Sequence, residues 1–147
     1  MGMRLNLLFV CEQTDACLRF QECLKREGFQ LVMAGDSELA ARTLLSACPL
    51  DAVLIHQNDI NRGSTIGSGF KIICPLLPIL LVSSQSPSNG LLPSGVDALC
   101  YSNFLGQRSA RDIAKVVRCL LADSPGTVKA PLYNERRCVP QKPTYLN

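Results

Sequence analysis

The only histidine in the chain, His56, stands at the end of the apolar run DAVLIH. An imidazole in such a place can ligate a metal, accept a phosphoryl group, or make a structural hydrogen bond. Metal sites usually combine several histidine, cysteine or carboxylate ligands, and no second histidine is present. Because buried polar side chains are nearly always hydrogen-bonded, the sequence favours a partly buried imidazole that is bonded to its surroundings.

The chain also carries eight cysteines, which never form a C-x-x-C pair. No N-terminal stretch has the basic and apolar regions of a secretory signal. We therefore expect reduced thiols in a cytoplasmic protein, with a disulfide framework as the disfavoured alternative. Core packing is predicted for Cys17, Cys23, Cys48, Cys74, Cys100 and Cys119, and exposure for Cys138.

The charge balance and the apolar runs exclude two classes of partner. Net charge is +3 and 18% of residues are charged, which falls short of the clustered basic surface of a nucleic-acid binder. The longest apolar run, from Ile72 to Val82, contains two prolines and is shorter than the ~20 residues that span a bilayer. We expect neither a nucleic-acid partner nor a membrane span.

Strand patterns alternate with helical ones, which predicts βαβ units and a parallel sheet. Continuous apolar runs indicate strands buried on both faces. The predicted strands are Leu5 to Val10, Phe29 to Ala34, Asp51 to His56, Pro78 to Ser84 and Val96 to Ser102. Between the first three strands lie helices with apolar stripes, Ala16, Cys17, Phe20, Cys23 and Leu24 in the first and Leu39, Ala40, Thr43 and Leu44 in the second.

The later connections are less regular. Three glycines between Gln57 and Gly69 predict a short third helix at most, over Ile66 to Cys74. Prolines, glycines and serines predict a loop from Ser84 to Gly95. Ser109 and Asp112 have the spacing of a capping box at the start of a last helix.

The element order over Leu5 to Ala122, together with the runs LKREGFQLVMAGDSELAARTLL and GVDALCYSNF, resembles the receiver domain of two-component response regulators. The resemblance implies an α/β, flavodoxin-like, doubly wound five-stranded parallel sheet of order 2-1-3-4-5 in a single domain. That receiver-like domain is expected over residues 4–122, followed by a flexible proline-rich tail over residues 123–147.

The same resemblance identifies a degenerate phosphorylation site. In the family an acidic pair and an aspartate hold magnesium, the aspartate accepts the phosphoryl group, and a hydroxyl and a lysine bind it. The matching positions here are Cys11 and Glu12 for the acidic pair, His56 for the acceptor, Ser83 for the hydroxyl and Ser102 for the lysine. Magnesium prefers hard oxygen ligands, and the lysine's positive charge is missing. We expect no aspartyl phosphorylation, no metal and no cofactor.

These five positions should still meet, because the carboxyl ends of neighbouring parallel strands share one crevice. A thiol, a carboxylate and an imidazole are enough for a metal or redox sensor that uses Cys11, Glu12 and His56, which is the alternative function. No oxyanion-hole donors and no group that orients His56 can be identified, so an enzyme is not expected and no catalytic residue is assigned.

The resemblance also implies a partner surface. In the family, contacts are made by the face of the fourth helix, fifth strand and fifth helix, which places Tyr101, Phe104 and the helix from Arg111 to Ala122 at the predicted surface. The expected function is a pseudo-receiver in signal transduction that acts through protein–protein interaction. Its partner would be a histidine kinase, another regulator or a second copy in a homodimer.

Overall fold

One sheet organises the chain, and its strands run in the order β2-β1-β3-β4-β5-β6. The computed structural model describes residues 4–11, 14–35, 38–47, 49–85, 91–102, 105–122 and 138–140. The strands are β1 Leu5–Val10, β2 Phe29–Gly35, β3 Ala52–His56, β4 Ile79–Ser83, β5 Ala98–Tyr101 and β6 Cys138–Pro140. The helices are α1 Asp15–Arg26, α2 Glu38–Ala47, α3 Ile60–Ile73 and α4 Gln107–Ala122. The first five strands are parallel in the order 2-1-3-4-5, which confirms the predicted fold class.

The core lies on both faces of the sheet because side chains alternate along each strand. In β1, Leu7 and Phe9 pack with the buried residues of α1 and α4, whereas Leu8 and Val10 pack with those of α2 and α3. The continuous apolar runs therefore have the expected cause: each central strand is covered by helices on both sides.

The sixth strand was not predicted. Cys138–Pro140 pairs antiparallel with β5 and places Cys138 opposite Cys100. These three residues belong to the segment that was predicted to be a flexible tail. Residues 123–137 and 141–147 lie outside the described part of the chain. A run of three residues has no periodicity that a sequence pattern could detect, so only the contact with β5 identifies it as a strand.

Helix α1 follows its prediction closely. Thr14 is the N-cap, and its Oγ1 accepts a hydrogen bond from the backbone N–H of Cys17 at 3.1 Å. Cys17, Phe20 and Leu24 are buried as expected and Cys23 is partly buried, whereas Ala16 is exposed, contrary to the prediction. Gly28 follows the helix at φ 100°, a left-handed conformation that glycine adopts without strain.

In α2 the predicted apolar stripe is right at Leu44, which is partly buried against the core, and wrong at Leu39 and Thr43. Leu39 is 76% exposed and Thr43 is exposed, whereas Ala41 and Leu45 are buried against the sheet. Ala41 and Leu45 are four residues apart and share one helical face. Small and large apolar residues are mixed along this helix, so the direction of the sheet, rather than residue size, decides which pair is covered.

Helix α3 begins at Ile60, six residues before the predicted start at Ile66, because its glycines are packing residues. Asp59 caps it, and its Oδ1 accepts from the N–H of Asn61 at 3.0 Å. A Cβ at Gly63 would come within 2.6 Å of the Leu81 side chain in β4, and one at Gly67 would collide with the backbone carbonyl of Gly95. The absence of side chains at these positions lets the helix lie close to the sheet.

The connection between β4 and β5 contains no helix within residues 84–85 and 91–97, as the loop prediction required, and residues 86–90 lie outside the described part. The connection is tied to α3, where the Ser64 hydroxyl donates to the Ser94 carbonyl at 2.6 Å. At the other end of α3, Lys71 Nζ contacts Asp97 Oδ2 at 2.6 Å, and the same oxygen accepts from the N–H of Ile79 at 2.7 Å.

The last helix begins two residues before the predicted cap. Ser109 is its third residue, and the Ser109 hydroxyl accepts from the N–H of Gly106 at 2.9 Å. In a capping box, the residue before the helix and the third residue of the helix hydrogen-bond to each other. Ser109 is that third residue, whereas the prediction placed it before the helix. A bilayer-spanning helix is not found in the described part of the chain, since none of its helices combines the required length with sufficient apolar character.

Candidate functional site

Strand alternation places His56 and Cys11 on the same face of the sheet. His56 ends β3, two residues after Leu54, which packs in the core shared with α1 and α4. Cys11 directly follows β1, the neighbouring strand, and belongs to that same core with 1% of its surface exposed. Its N–H donates to the Gly35 carbonyl at 2.8 Å, which fixes the end of β1. Two of the predicted site residues therefore lie together.

A residue outside the predicted set completes this group. The Cys17 Sγ lies 3.6 Å from Nδ1 of His56, and Cys17 is 1% exposed. Cys17 also hydrogen-bonds through its side chain with Cys11 and Thr14. The partly buried His56 is thus bonded to its surroundings, and its described partner is a thiol of α1. We call Cys11, Cys17 and His56 the thiol–imidazole cluster.

The surroundings of Cys17 favour its ionised form. The hydrogen bond with Cys11, followed by those with His56 and Thr14 and the coulombic attraction of His56, lowers the pKa of the Cys17 thiol from 9.0 to about 4. Burial acts in the opposite direction, because a charged group loses hydration inside the protein, and is outweighed. At neutral pH Cys17 is therefore a thiolate.

The two serines of the predicted site differ in placement. Ser83 lies on the opposite face from His56, since it follows Leu81 by two residues and Leu81 packs toward α2 and α3. The Ser83 hydroxyl donates to the Asn58 carbonyl at 3.0 Å and accepts from the N–H of Gln85 at 3.0 Å. Ser102 is buried, and its N–H donates to the Ser83 carbonyl at 2.9 Å. By strand alternation it lies on the same face as His56, two residues after Cys100.

The carboxylates nearest to His56 in sequence serve the fold. Asp51 accepts a hydrogen bond from the N–H of Asn6 at 2.7 Å. This bond lies at the amino ends of the strands, and the crevice lies at their carboxyl ends. Asp59 caps α3. Glu12, the predicted surviving carboxylate, lies outside the described residues.

The metal form of the sensor alternative finds no support in the described residues. Across them, no three His, Cys, Asp or Glu side chains are arranged so that they could hold a metal ion. None of the six described cysteines Cys11, Cys17, Cys23, Cys74, Cys100 and Cys119 forms a disulfide.

The predicted partner surface is only partly described. Tyr101 is half-buried at the end of β5, and Phe104 lies outside the described residues. The outer edge of β5 is occupied by β6, so it is not open to strand addition by another chain. Exposed large apolar side chains lie instead near the amino ends of β3 and β4, where Ile72 is 83% and Leu76 is 89% exposed. Leu76 also lines a groove of about 430 Å³, together with residues that include Leu45, Leu50, Leu77 and Leu121.

Sequence reasoning missed Cys17 because it treated the residue as one member of an apolar stripe. The stripe is real, and Cys17 is buried in it. The available signal was its position. Cys17 lies six residues after the strand-end cysteine Cys11, in the first turn of the predicted helix. Helix N-termini favour negative charge, which is a reason to expect a reactive thiol there.

Comparison with solved structures gives consistent matches to one fold. The receiver domain of a Francisella response regulator matches with a TM-score of 0.65 and 15% identity, over 80% of this chain and 97% of that chain. An orphan response regulator of H. pylori matches with a TM-score of 0.63 and 14% identity, over 82% and 99%. An atypical orphan response regulator, described as having a phosphorylation-independent regulatory mechanism, matches with a TM-score of 0.63 and 13% identity, over 80% and 95%.

No protein-family model and no curated protein match the chain. The likeness therefore rests on three-dimensional structure at low sequence identity, and it agrees with the strand order 2-1-3-4-5. The chain has the flavodoxin-like fold of response-regulator receiver domains.

Proposed function

We propose that this chain is a pseudo-receiver: a signalling module of receiver fold that is not phosphorylated on aspartate and acts by binding other proteins. The observation that carries the proposal is the residue at the end of β3. In the family that the chain resembles, an aspartate there accepts the phosphoryl group, and here the position holds His56, whose Nδ1 contacts a thiol.

Other parts of the crevice support the same conclusion. Cys11 is buried and in contact with Cys17, which suits neither magnesium nor the negative charge of a phosphoryl group. Ser102 stands where the family has a lysine, so the crevice lacks a fixed cation at that position. The Ser83 hydroxyl is held by Asn58 and Gln85, which would have to release it before it could bind a phosphoryl oxygen.

Solved structures of similar fold make such a role reasonable. Two of the matching proteins are orphan response regulators, and one of them is described as phosphorylation-independent. We propose binding rather than catalysis for this chain. Its partner would be a histidine kinase, another regulator or a second copy, and exposed apolar side chains such as Ile72 and Leu76 support contact with a protein. We also propose a cytoplasmic location and a receiver-like unit over residues 4–122, to whose sheet the strand Cys138–Pro140 adds an edge.

Intact-mass measurement tests the proposal. The purified chain is incubated with a small-molecule phosphodonor and magnesium, and its mass is compared with that of an untreated sample. We expect no change, because neither the acceptor aspartate nor the lysine is present. A His56→Ala variant is run alongside, and a His56→Asp, Ser102→Lys double variant restores two of the missing groups.

The double variant serves as the positive control. If it gains a labile phosphoryl group that requires magnesium while the unmodified chain does not, the assignment of His56 and Ser102 to the acceptor and lysine positions is supported. A labile adduct on the unmodified chain that disappears in His56→Ala would overturn the proposal, since the imidazole would then be the acceptor.

A second candidate, the redox form of a sensor, is favoured by one specific observation, the contact between Cys17 and His56. It differs from the sequence-based version because Cys17 takes the place of Glu12.

A further inference from the structure

The thiol–imidazole cluster brings together two sulfur atoms and one imidazole at the end of the sheet. Cys17 hydrogen-bonds with Cys11, and its Sγ lies 3.6 Å from Nδ1 of His56. The two thiols come from different parts of the fold, since Cys11 directly follows β1 and Cys17 lies in the first turn of α1. A disulfide between them would therefore join a strand to the helix that follows it.

Three independent features favour negative charge on the Cys17 sulfur. The N-terminal turn of a helix carries a partial positive charge from its aligned peptide dipoles. The imidazole of His56 is in contact with the sulfur, and the Cys11 thiol hydrogen-bonds with it. A thiolate, rather than a thiol, is the nucleophile in cysteine chemistry, so Cys17 is the reactive member of the pair.

We propose that Cys11 and Cys17 are a hydroperoxide-reactive pair, in which Cys17 is the attacking thiolate, Cys11 is the resolving thiol and His56 carries the proton. The proposal does not depend on the pseudo-receiver function. It assigns a covalent modification site to the crevice in which the family that the chain resembles is phosphorylated.

The chemistry balances with a hydroperoxide as the only co-reactant. The Cys17 thiolate attacks one peroxide oxygen, a sulfur–oxygen bond forms, the oxygen–oxygen bond breaks, and the leaving oxygen takes the proton that His56 received from Cys17. Cys11 then attacks the Cys17 sulfenic acid, a sulfur–sulfur bond forms, the sulfur–oxygen bond breaks, and water leaves with the Cys11 proton. Two thiols and one hydroperoxide thus yield one disulfide, one alcohol or water, and one water.

Other cysteines of the chain provide an internal comparison. Cys23, Cys74 and Cys119 are more exposed than Cys17. If exposure alone governed oxidation, these residues would react first. If the cluster governs it, the buried Cys17 reacts first, and only with an oxidant as small as hydrogen peroxide, because both cluster thiols are 1% exposed.

The test treats the reduced full-length chain with one equivalent of hydrogen peroxide, blocks the remaining thiols, and maps all eight cysteines by peptide mass spectrometry. We expect a Cys11–Cys17 disulfide that a dithiol reductant reverses. In Cys11→Ser, a sulfenic acid should accumulate on Cys17 and be trapped by a 1,3-dione, and in Cys17→Ser neither cluster position should react.

The pH dependence of the reaction separates a chemical role from a structural one. In the unmodified chain the oxidation rate of Cys17 should be nearly independent of pH above about 5, because the pKa of Cys17 is lowered. In Cys11→Ala the rate should fall at neutral pH and recover at alkaline pH, since the hydrogen bond that is the largest cause of the lowered pKa is removed. His56→Gln should slow oxidation by at least about tenfold at neutral pH.

Two results would overturn the proposal. One is oxidation that begins at Cys23, Cys74 or Cys119 while Cys17 stays reduced. The other is a Cys17 oxidation rate in the unmodified chain that rises steadily up to alkaline pH, as for an ordinary thiol. Neither result bears on the phosphodonor experiment, so the two proposals fail separately.

Discussion

Replacement of Gly67 by alanine tests how closely helix α3 lies against the β4–β5 connection. The added Cβ would collide with the carbonyl oxygen of Gly95, and it would lie 3.5 Å from the Val96 side chain. The colliding atom belongs to the backbone, and the same segment is held to α3 by the bonds of Ser64 and Ser68 to Ser94. The segment therefore cannot yield simply by rotating a side chain.

Two opposing terms set the magnitude. An alanine in place of glycine inside a helix stabilises it by about 1 kcal/mol. An extra methyl group in a well-packed region costs about 1–3 kcal/mol, because the backbone must shift to admit it. We expect the second term to prevail, so Gly67→Ala should lower the free energy of unfolding by about 1 kcal/mol.

Chemical denaturation followed by circular dichroism measures this difference. Thr65→Ala is the matched control, because Thr65 is exposed in the same helix and its hydroxyl bonds only to the Asn61 carbonyl within the helix. The control should change stability by less than about 0.5 kcal/mol. If Gly67→Ala instead stabilises the chain by about 1 kcal/mol, as at an open helical position, the close approach of α3 to Gly95 is refuted.

Two further predictions concern groups at opposite ends of the sheet. Because the pKa of Cys17 is lowered from 9.0 to about 4 in the folded chain, its thiolate stabilises the fold fully above pH 9 and loses that effect as the pH falls toward 4. As the pH falls from about 8 to 5, the free energy of unfolding of the unmodified chain should therefore decrease more steeply than that of Cys17→Ser. The difference should be on the order of 1 kcal/mol per pH unit. Parallel profiles in the two proteins would contradict the lowered pKa. Asp97→Ala removes the acceptor for the Ile79 N–H and the partner of Lys71, so urea titration should show a loss of about 2 kcal/mol, larger than for Lys71→Met. Equal losses in the two variants would show that the backbone hydrogen bond contributes little.

The parts of the fold that follow from local pattern were predictable. Continuous apolar runs identify β1, β3 and β4, because strands covered on both faces have no polar side to interrupt the run. The Thr14 cap and the buried stripe of α1 follow from short-range helix geometry. The strand order agrees with the resemblance to receiver domains.

The remaining features depend on contacts between segments that are distant in sequence. The glycines of α3 weaken the helix locally, and only the proximity of β4 and Gly95 gives them a packing role. The strand Cys138–Pro140 exists as a strand because β5 offers an unpaired edge. The register of α2 is decided by which residues meet the sheet.

For the candidate site, the sequence by itself determined the residue types: a cysteine after β1, a lone histidine at the end of β3 and serines at the ends of β4 and β5. The resemblance to receiver domains implied that their strands lie side by side, with the carboxyl ends at one crevice. Only the tertiary structure decided that Cys17 meets His56 and Cys11, while Ser83 is held on the other face. The physical reason is that a side chain's partners depend on how α1 is rotated against the sheet, and that rotation is fixed by the whole buried core rather than by any one segment.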